Sequence, residues 1–326
     1  MPQYKKPYLN FNQQLELLKS RGLEVTNNSV ALEYLERLGY YRLSGYWYPC
    51  RKLLLTSASQ PKLVRPMRSD EFMPGSKFLD VVSLYVFDKK LRLLILDAIE
   101  RIEVAIRVEI AYLLGKKDPF AYENPSLLHG NFTKKINIRT GLTKYDEWHA
   151  KNNQLIQRSK EDFATHYKEK YGLPLPIWVA IELWDFGLLS TFYQGMTQMD
   201  KDHIAKKYNI HNGNLMESWL RTLNYIRNVV AHHSRLWNRN LIDQPKLPKP
   251  QEMSPFNHLI GNIQTTSRVY VALCILVHFI KNICPRSTWC NRMIELIDSF
   301  PTTEYFKIKD MGFPNSWKNE ELWKET

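Results

Sequence analysis

Cysteine is scarce: Cys50, Cys274, Cys284 and Cys290 are the only four in 326 residues, and no two form a CxxC pair. That leaves little from which to build a disulfide framework or a zinc ribbon, and suits reduced thiols in a cytoplasmic protein. Long apolar runs are missing too. The most apolar stretch, Val269 to Ile280, contains His278 and stops at Lys281, short of the ~20 residues a spanning helix needs. The opening MPQYKKPYLN lacks the apolar core of a secretion signal, so a cytoplasmic location away from the membrane is expected. There is no GxxxxGK[ST] phosphate loop, no nucleotidyltransferase motif and no carboxylate-rich metal cluster. No metal or other cofactor is therefore expected. Glycine (13) and proline (17) are sparse and lie mostly between segments of helical periodicity. No internal repeat, heptad array or alternating strand pattern is present.

What the chain has in excess is positive charge. Lysine and arginine total 45 against 33 acids, a net +12 with a pI near 9.3. A surface of that sign attracts phosphate polyanions and gains from counterion release. The same excess also serves solubility, so charge by itself leaves RNA, DNA and an anionic membrane surface open.

Apolar spacing predicts an all-α protein. Helices are expected over 11–18, 28–38 (capped by Asn28 or Ser29), 78–114, 145–171, 177–193, 214–236, 262–283 and 287–299. Between 40 and 75 lie the aromatic stretch YYRLSGYWYP and a polar connection. Residues 115 to 145 set Lys116, Lys117, Lys134, Lys135, Arg139 and Lys144 against Asp118 and Glu123, a basic excursion without clear period. The expected organisation is an N-terminal helical and aromatic region over 1–75, a helical domain over 76–300 with a basic insertion at about 115–171, and an aromatic tail over 301–326.

The chemistry concentrates in NLMESWLRTLNYIRNVVAHHSRLWNR, residues 214 to 239. On a helix, Met216, Trp219, Leu223, Ile226 and Val230 share one face. Asn228 and His232, four apart, lie opposite, with Asn224 and Arg235 further round; His233 falls near the apolar stripe. Arg227 sits on the flank, about 140° from His232, so either its side chain swings round or the helix loosens at its end. These residue types suit RNA cleavage without metal. A histidine, with an ordinary pKa of ~6.5, can take the proton from a ribose 2′-hydroxyl or protonate the leaving oxygen. Arginine holds charge on phosphate through forked hydrogen bonds, and asparagine orients without adding charge. The spacing alone also arises by chance, and a solvated helix end is an equal reading of the same residues.

The blocks around this segment resemble the Abi-like abortive-infection family of the AbiD and AbiF type. They are Tyr40 to Pro49, FDKKLR at 87–92 with IERIE at 99–103, WVAIELWDFGLL at 178–189, SWL at 218–220, LNYIRN at 223–228, AHHSRLWNR at 231–239, and MGFP at 311–314 with Trp317. The resemblance implies a HEPN-type helical fold, phage defence, and RNA cleavage by an Arg-Asn-x-x-x-His motif, here Arg227, Asn228 and His232. HEPN ribonucleases build one site from two motifs. A single motif in this chain thus implies a homodimer, and the family setting implies a toxin–antitoxin-like inhibitor, either a small structured RNA or a protein.

Arg235, Arg239 and His233, with Lys134, Lys135 and Arg139 of the basic excursion, are the expected RNA contacts. Glu103 and Arg107, four apart, read as an ion pair that could support the active helix. Tyr40, Tyr41, Tyr46 and Trp47 could stack on bases but read better as packing. The leading reading is a toxin-like ribonuclease; its rivals are a non-catalytic RNA-binding protein and a sensor acting through protein contacts.

Overall fold

The computed structural model describes residues 7–54 and 67–324, and the chain divides into two compact units. One holds the chain up to Leu91 together with Ile294–Asp310; the other holds Arg92–Met293 and the chain from Met311 on. Both are built mainly from helices, as the apolar spacing predicts.

The first unit begins with α1 (Phe11–Ser20), α2 (Asn28–Leu38) and α3 (Tyr40–Trp47). A reciprocal cap between Asn10 and Gln13 starts α1, and Asn27, one residue ahead of the expected position, caps α2. Gly39, at φ +81°, ends α2 and starts α3 in a single left-handed step that glycine takes without strain. The aromatic stretch is thus a helix, with Leu43, Tyr46 and Trp47 buried. The Tyr46 hydroxyl donates to the buried Asp88 carboxylate at 2.7 Å. Packing is accordingly the role of Tyr46 and Trp47, while Tyr41 is exposed.

The polar connection contains a small antiparallel pair, β1 (Arg51–Leu53) with β2 (Arg68–Phe72). Charge, and not apolar alternation, ties its two strands: Arg51 pairs with Asp70 and Lys52 with Glu71. Helix α4 (Phe78–Gly115) is the long helix the spacing predicts.

The second unit continues with α5 (Gly130–Thr133), α6 (Lys144–Arg158), α7 (Asp162–Tyr171), α8 (Ile177–Ala180), α9 (Phe186–Gly195), α10 (Gln198–Lys207), α11 (Gly213–Ala231), α12 (Ile263–Thr266), α13 (Val269–Ile283) and the start of α14 (Trp289–Asp298), which passes into the first unit at Ile294. Every residue of α13 from Val269 to Ile280 is buried, so the most apolar run of the chain is its central core helix. Among the described residues no helix is long and apolar enough to cross a membrane.

Three expected helices are interrupted. The 145–171 segment breaks at Ser159, whose extended backbone caps α6, so α7 starts afresh. The 177–193 segment breaks at Trp184, because Asp185 turns its carboxylate to the Leu188 amide at 2.8 Å and nucleates α9 separately. The 262–283 segment breaks at Ser267 and Arg268, where Arg268 is extended and its guanidinium donates to the Asn238 carbonyl at 2.6 Å. Close approach also explains the glycine of MGFP: a Cβ on Gly312, at φ +93°, would lie 2.7 Å from Cβ of Arg268.

Candidate functional site

Helix α11 starts where the Asn212 side chain accepts from the Leu215 amide at 2.9 Å. Met216, Trp219, Leu223, Ile226 and Val230 are all buried, which fixes the rotation of the helix and turns Asn228 to the outside. The neighbouring face is held too: the Trp219 indole donates to the Lys246 carbonyl at 2.9 Å, and Thr222 donates to the Asp243 carbonyl at 3.0 Å.

The helix does not run on to 236; its last helical residue is Ala231. His232 is the C-cap, with its amide on the Asn228 carbonyl at 3.1 Å. His233 takes a left-handed conformation at φ +53°. Its amide donates to the Val230 carbonyl and that of Ser234 to the Val229 carbonyl, each at 3.0 Å. This pair of bonds is a Schellman motif with histidine where glycine is usual. The stop corrects the helical-wheel placement of His233: instead of falling near the apolar stripe it is exposed, as is His232. The helix stays regular through Ala231 and the His232 amide still bonds to the Asn228 carbonyl, so the stop comes after both residues and does not bring Arg227 round to His232. The turn is anchored beyond it by Leu236 and Trp237, both fully buried.

Arg227 is half-buried and Asn228 exposed, and the guanidinium Nη1 reaches the Asn228 Oδ1 at 3.4 Å. Past the turn, Arg239 donates from Nε to the Arg235 carbonyl at 2.9 Å and from Nη1 to the Tyr225 hydroxyl at 3.5 Å. The segment from Tyr225 to Arg239 therefore gathers two histidines and three arginines at one helix end.

On α4, Glu103 and Arg107 form an ion pair, with each side chain only 15% exposed. Arg107 also donates to the Trp184 carbonyl and approaches Glu182 at 3.6 Å. Burial pushes the Glu103 carboxyl above the usual range, against the opposing charges of Arg107 and Arg227. The charge of Arg227 acts on Glu103 of α4, and the Glu103–Arg107 ion pair is the one their four-residue spacing predicts. Asp185, whose charge also acts on Glu103, sits at the start of α9. Asn224 lies against the same turn, since a Cβ on Gly187 would stand 3.2 Å from Asp185 Oδ1 and 3.5 Å from Asn224 Oδ1.

Sequence reasoning gives no role to Asp185, Trp184, Glu182 or Tyr225. An aspartate directly ahead of the apolar FGLL run is an N-cap signal that could have marked Asp185. Nothing local marks the Trp184 carbonyl as a partner of Arg107, 77 residues away.

Lys134, Lys135 and Arg139 are exposed; Lys134 caps the end of α5, and Arg139 sits in a turn closed by the Asn137 amide on the Leu142 carbonyl at 2.8 Å. Of the other bases in this excursion, Lys117 is paired with Asp200 at 2.5 Å. Among the described residues no group of three or more His, Cys, Asp or Glu side chains is placed to hold a metal ion.

A family model described as Abi-like protein matches residues 33–238, well over half of the chain. The match ends directly after the buried Trp237 and so takes in Arg227, Asn228 and His232, while the MGFP block lies beyond it. No curated protein and no solved structure matches the chain. By the extent of the family match, the chain belongs to the Abi-like proteins.

Proposed function

We propose that this Abi-like protein is a metal-independent endoribonuclease of an abortive-infection system, with Arg227, Asn228 and His232 at its active centre. The observation that carries the reading is the end of α11. There the Schellman turn exposes His232 one turn on from Asn228, and Arg227 reaches Asn228 while its charge acts on the half-buried Glu103. The family resemblance adds the HEPN-type fold and the role of the motif.

The cleavage is an internal transfer. A histidine accepts the proton of the ribose 2′-hydroxyl, and that oxygen attacks the adjacent phosphorus. The bond to the 5′-oxygen breaks as a second histidine protonates it, leaving a 2′,3′-cyclic phosphate and a 5′-hydroxyl. Arg227 neutralises charge on the non-bridging oxygens, and Asn228 holds Arg227 in line. One histidine for each proton transfer, and a single motif per chain, call for two copies of α11 in one site. The product is a homodimer, its activity held in check by an inhibitor RNA or protein.

A self-complementary surface supports the pairing. On α4, Val104, Val108 and Tyr112 are 49%, 55% and 77% exposed, beside Trp178 at 47%. Val108, Tyr112 and Trp178 edge an apolar groove that Glu182, the neighbour of Arg107, also lines, and Val104 lies one turn before it on α4. The residues are symmetric about Val108, with Val104 and Tyr112 four residues to either side and the exposed Glu100 and Lys116 eight. An antiparallel crossing at Val108 sets Val104 against the partner subunit's Tyr112 and Glu100 against the partner subunit's Lys116. Such reciprocity is what a two-fold interface requires.

The test is purified protein with total cellular RNA in EDTA, with the new ends mapped. Ends carrying 2′,3′-cyclic phosphate, absent with His232→Ala, support the reading. RNA retained without new ends favours the non-catalytic RNA-binding protein, and activity abolished by EDTA overturns the mechanism.

A further inference from the structure

Away from α11, the segment joining α13 to α14 closes a second basic feature. A pocket of about 600 Å³ is lined by Arg101, Cys284, Arg286, Ser287, Thr288 and Arg292, with Pro285 at its wall. The lining offers three guanidinium groups, two hydroxyls and a thiol, and no carboxylate. The arrangement is built, since one acid fixes two of the arginines. Asp97 accepts from Arg101 Nε at 3.0 Å through Oδ1 and from Arg292 Nη2 at 2.9 Å through Oδ2. Each guanidinium thereby spends one edge on Asp97 and keeps further N–H groups for another acceptor. Arg286 has no ion pair among the described residues, so the pocket holds three positive charges against the single negative charge of Asp97 behind them. The Ser287 hydroxyl already accepts from the Trp289 amide at 3.2 Å, which fixes the approach to α14.

Three forked cations around a concave volume of nucleotide size match a phosphate group better than any neutral ligand. We propose that this pocket binds the phosphate of a nucleotide, with Arg286 as the principal contact and Arg101 and Arg292 as flanking donors oriented by Asp97. The ligand chemistry has two sources, a free nucleotide or a phosphorylated RNA end. The site is distinct from the motif on α11 and does not rest on the nuclease reading.

Binding is measured on full-length His232→Ala protein, so that RNA stays intact whatever the fate of the cleavage proposal. The probes are inorganic phosphate, pyrophosphate, AMP, ADP, and a short RNA carrying either a 5′-phosphate or a 5′-hydroxyl. Titration calorimetry reads affinity, and the alkylation rate of Cys284 reports occupancy from within the pocket. Cys290, half-buried and outside the lining, serves as the internal control. The expected result is slower alkylation of Cys284 with ligand and an unchanged rate at Cys290. Arg286→Ala is expected to weaken binding about ten-fold, the loss of one charge-assisted contact, with Arg286→Lys between the two. Protection by AMP and ADP assigns a free nucleotide; protection only by 5′-phosphorylated RNA assigns an RNA end. The proposal is overturned if no probe at millimolar concentration slows Cys284, or if Arg286→Ala binds as tightly as the parent while its circular dichroism is unchanged.

Discussion

The Ser234 amide donates to the Val229 carbonyl at 3.0 Å, the outer bond of the turn that takes the chain out of α11 with His233 left-handed at φ +53°. A side chain bearing Cβ is strained there, and glycine is not. His233→Gly is therefore expected to raise stability by about 0.5–1 kcal/mol, and His233→Val to lower it by more than that. Urea denaturation at neutral pH measures both. If His233 also contacts RNA, the glycine variant gains stability while losing affinity, two changes of opposite direction that a purely structural residue would not produce.

Truncation at the motif separates chemistry from binding. Arg227→Ala and His232→Ala are each expected to slow cleavage at least 100-fold, within the range of acid–base and charge-stabilising contributions. RNA affinity should fall only a few-fold, because Arg235, Arg239 and the remaining basic surface persist. Arg227→Lys is expected to restore little, since a point charge cannot replace a guanidinium that reaches Asn228 and, in the proposed mechanism, forks onto phosphate. Gel mobility shift against single-turnover cleavage checks the split; equal loss in both assays would mark the residues as binding groups.

The Glu103–Arg107 pair is shielded and also serves the Trp184 carbonyl. Arg107→Ala leaves a shielded carboxylate and a carbonyl without their donor, at an expected cost of about 3 kcal/mol. Glu103→Gln should cost much less, because burial already disfavours the charged carboxyl and an amide still accepts from Arg107. If the pair positions Arg227, Glu103→Gln lowers kcat with KM almost unchanged. Thermal unfolding together with steady-state kinetics checks both statements.

How far these features were legible in the sequence follows from how local they are. The buried stripe of α11 has helical period, so Met216 through Val230 announce themselves. The end of that helix does not, because His233 occupies a position where glycine would have been the signal. Helix α3 hides behind the aromatic and glycine composition of YYRLSGYW, although the left-handed step at Gly39 sets it up. The β1–β2 pair hides because opposite charges across the strands replace apolar alternation. Glu103 and Arg107 are readable from their four-residue spacing, whereas Trp184 and Asp185 reach the same place only through the tertiary fold.

Acid should weaken the second unit through His278. Its Nε2–H donates to the Tyr208 carbonyl at 2.8 Å, and the ring lies against Trp219 and Phe256. Burial holds its pKa down at about 4. Above pH 6.5 the imidazole is neutral in native and unfolded chains alike, so it gives no pH dependence there. Between 6.5 and about 4 the unfolded chain takes up a proton that the native chain does not, and stability falls as pH falls. The slope is at most ~1.4 kcal/mol per pH unit, and the total is about 3 kcal/mol. His278→Gln keeps a donor for Tyr208 without titrating. Chemical denaturation from pH 7 to 4 should therefore show a flatter acid limb for the variant; parallel limbs would place the imidazole in water.

If two copies pair as proposed, activity depends on concentration. Specific activity in the two-motif mechanism is expected to drop on dilution below the dimer dissociation constant, as monomers with half a site accumulate. Tyr112→Asp and Val108→Asp place carboxylates on the exposed α4 stripe, where most of each side chain faces out and the unfolding midpoint should change little. Against a partner's apolar surface the same carboxylates would be buried without a counter-ion, so the variants should run as monomers and lose cleavage together. Sedimentation velocity alongside cleavage across a dilution series reads both quantities. A wild-type chain that stays monomeric at full specific activity would require both proton transfers from one α11, leaving His232 and His233 of the same turn to share them.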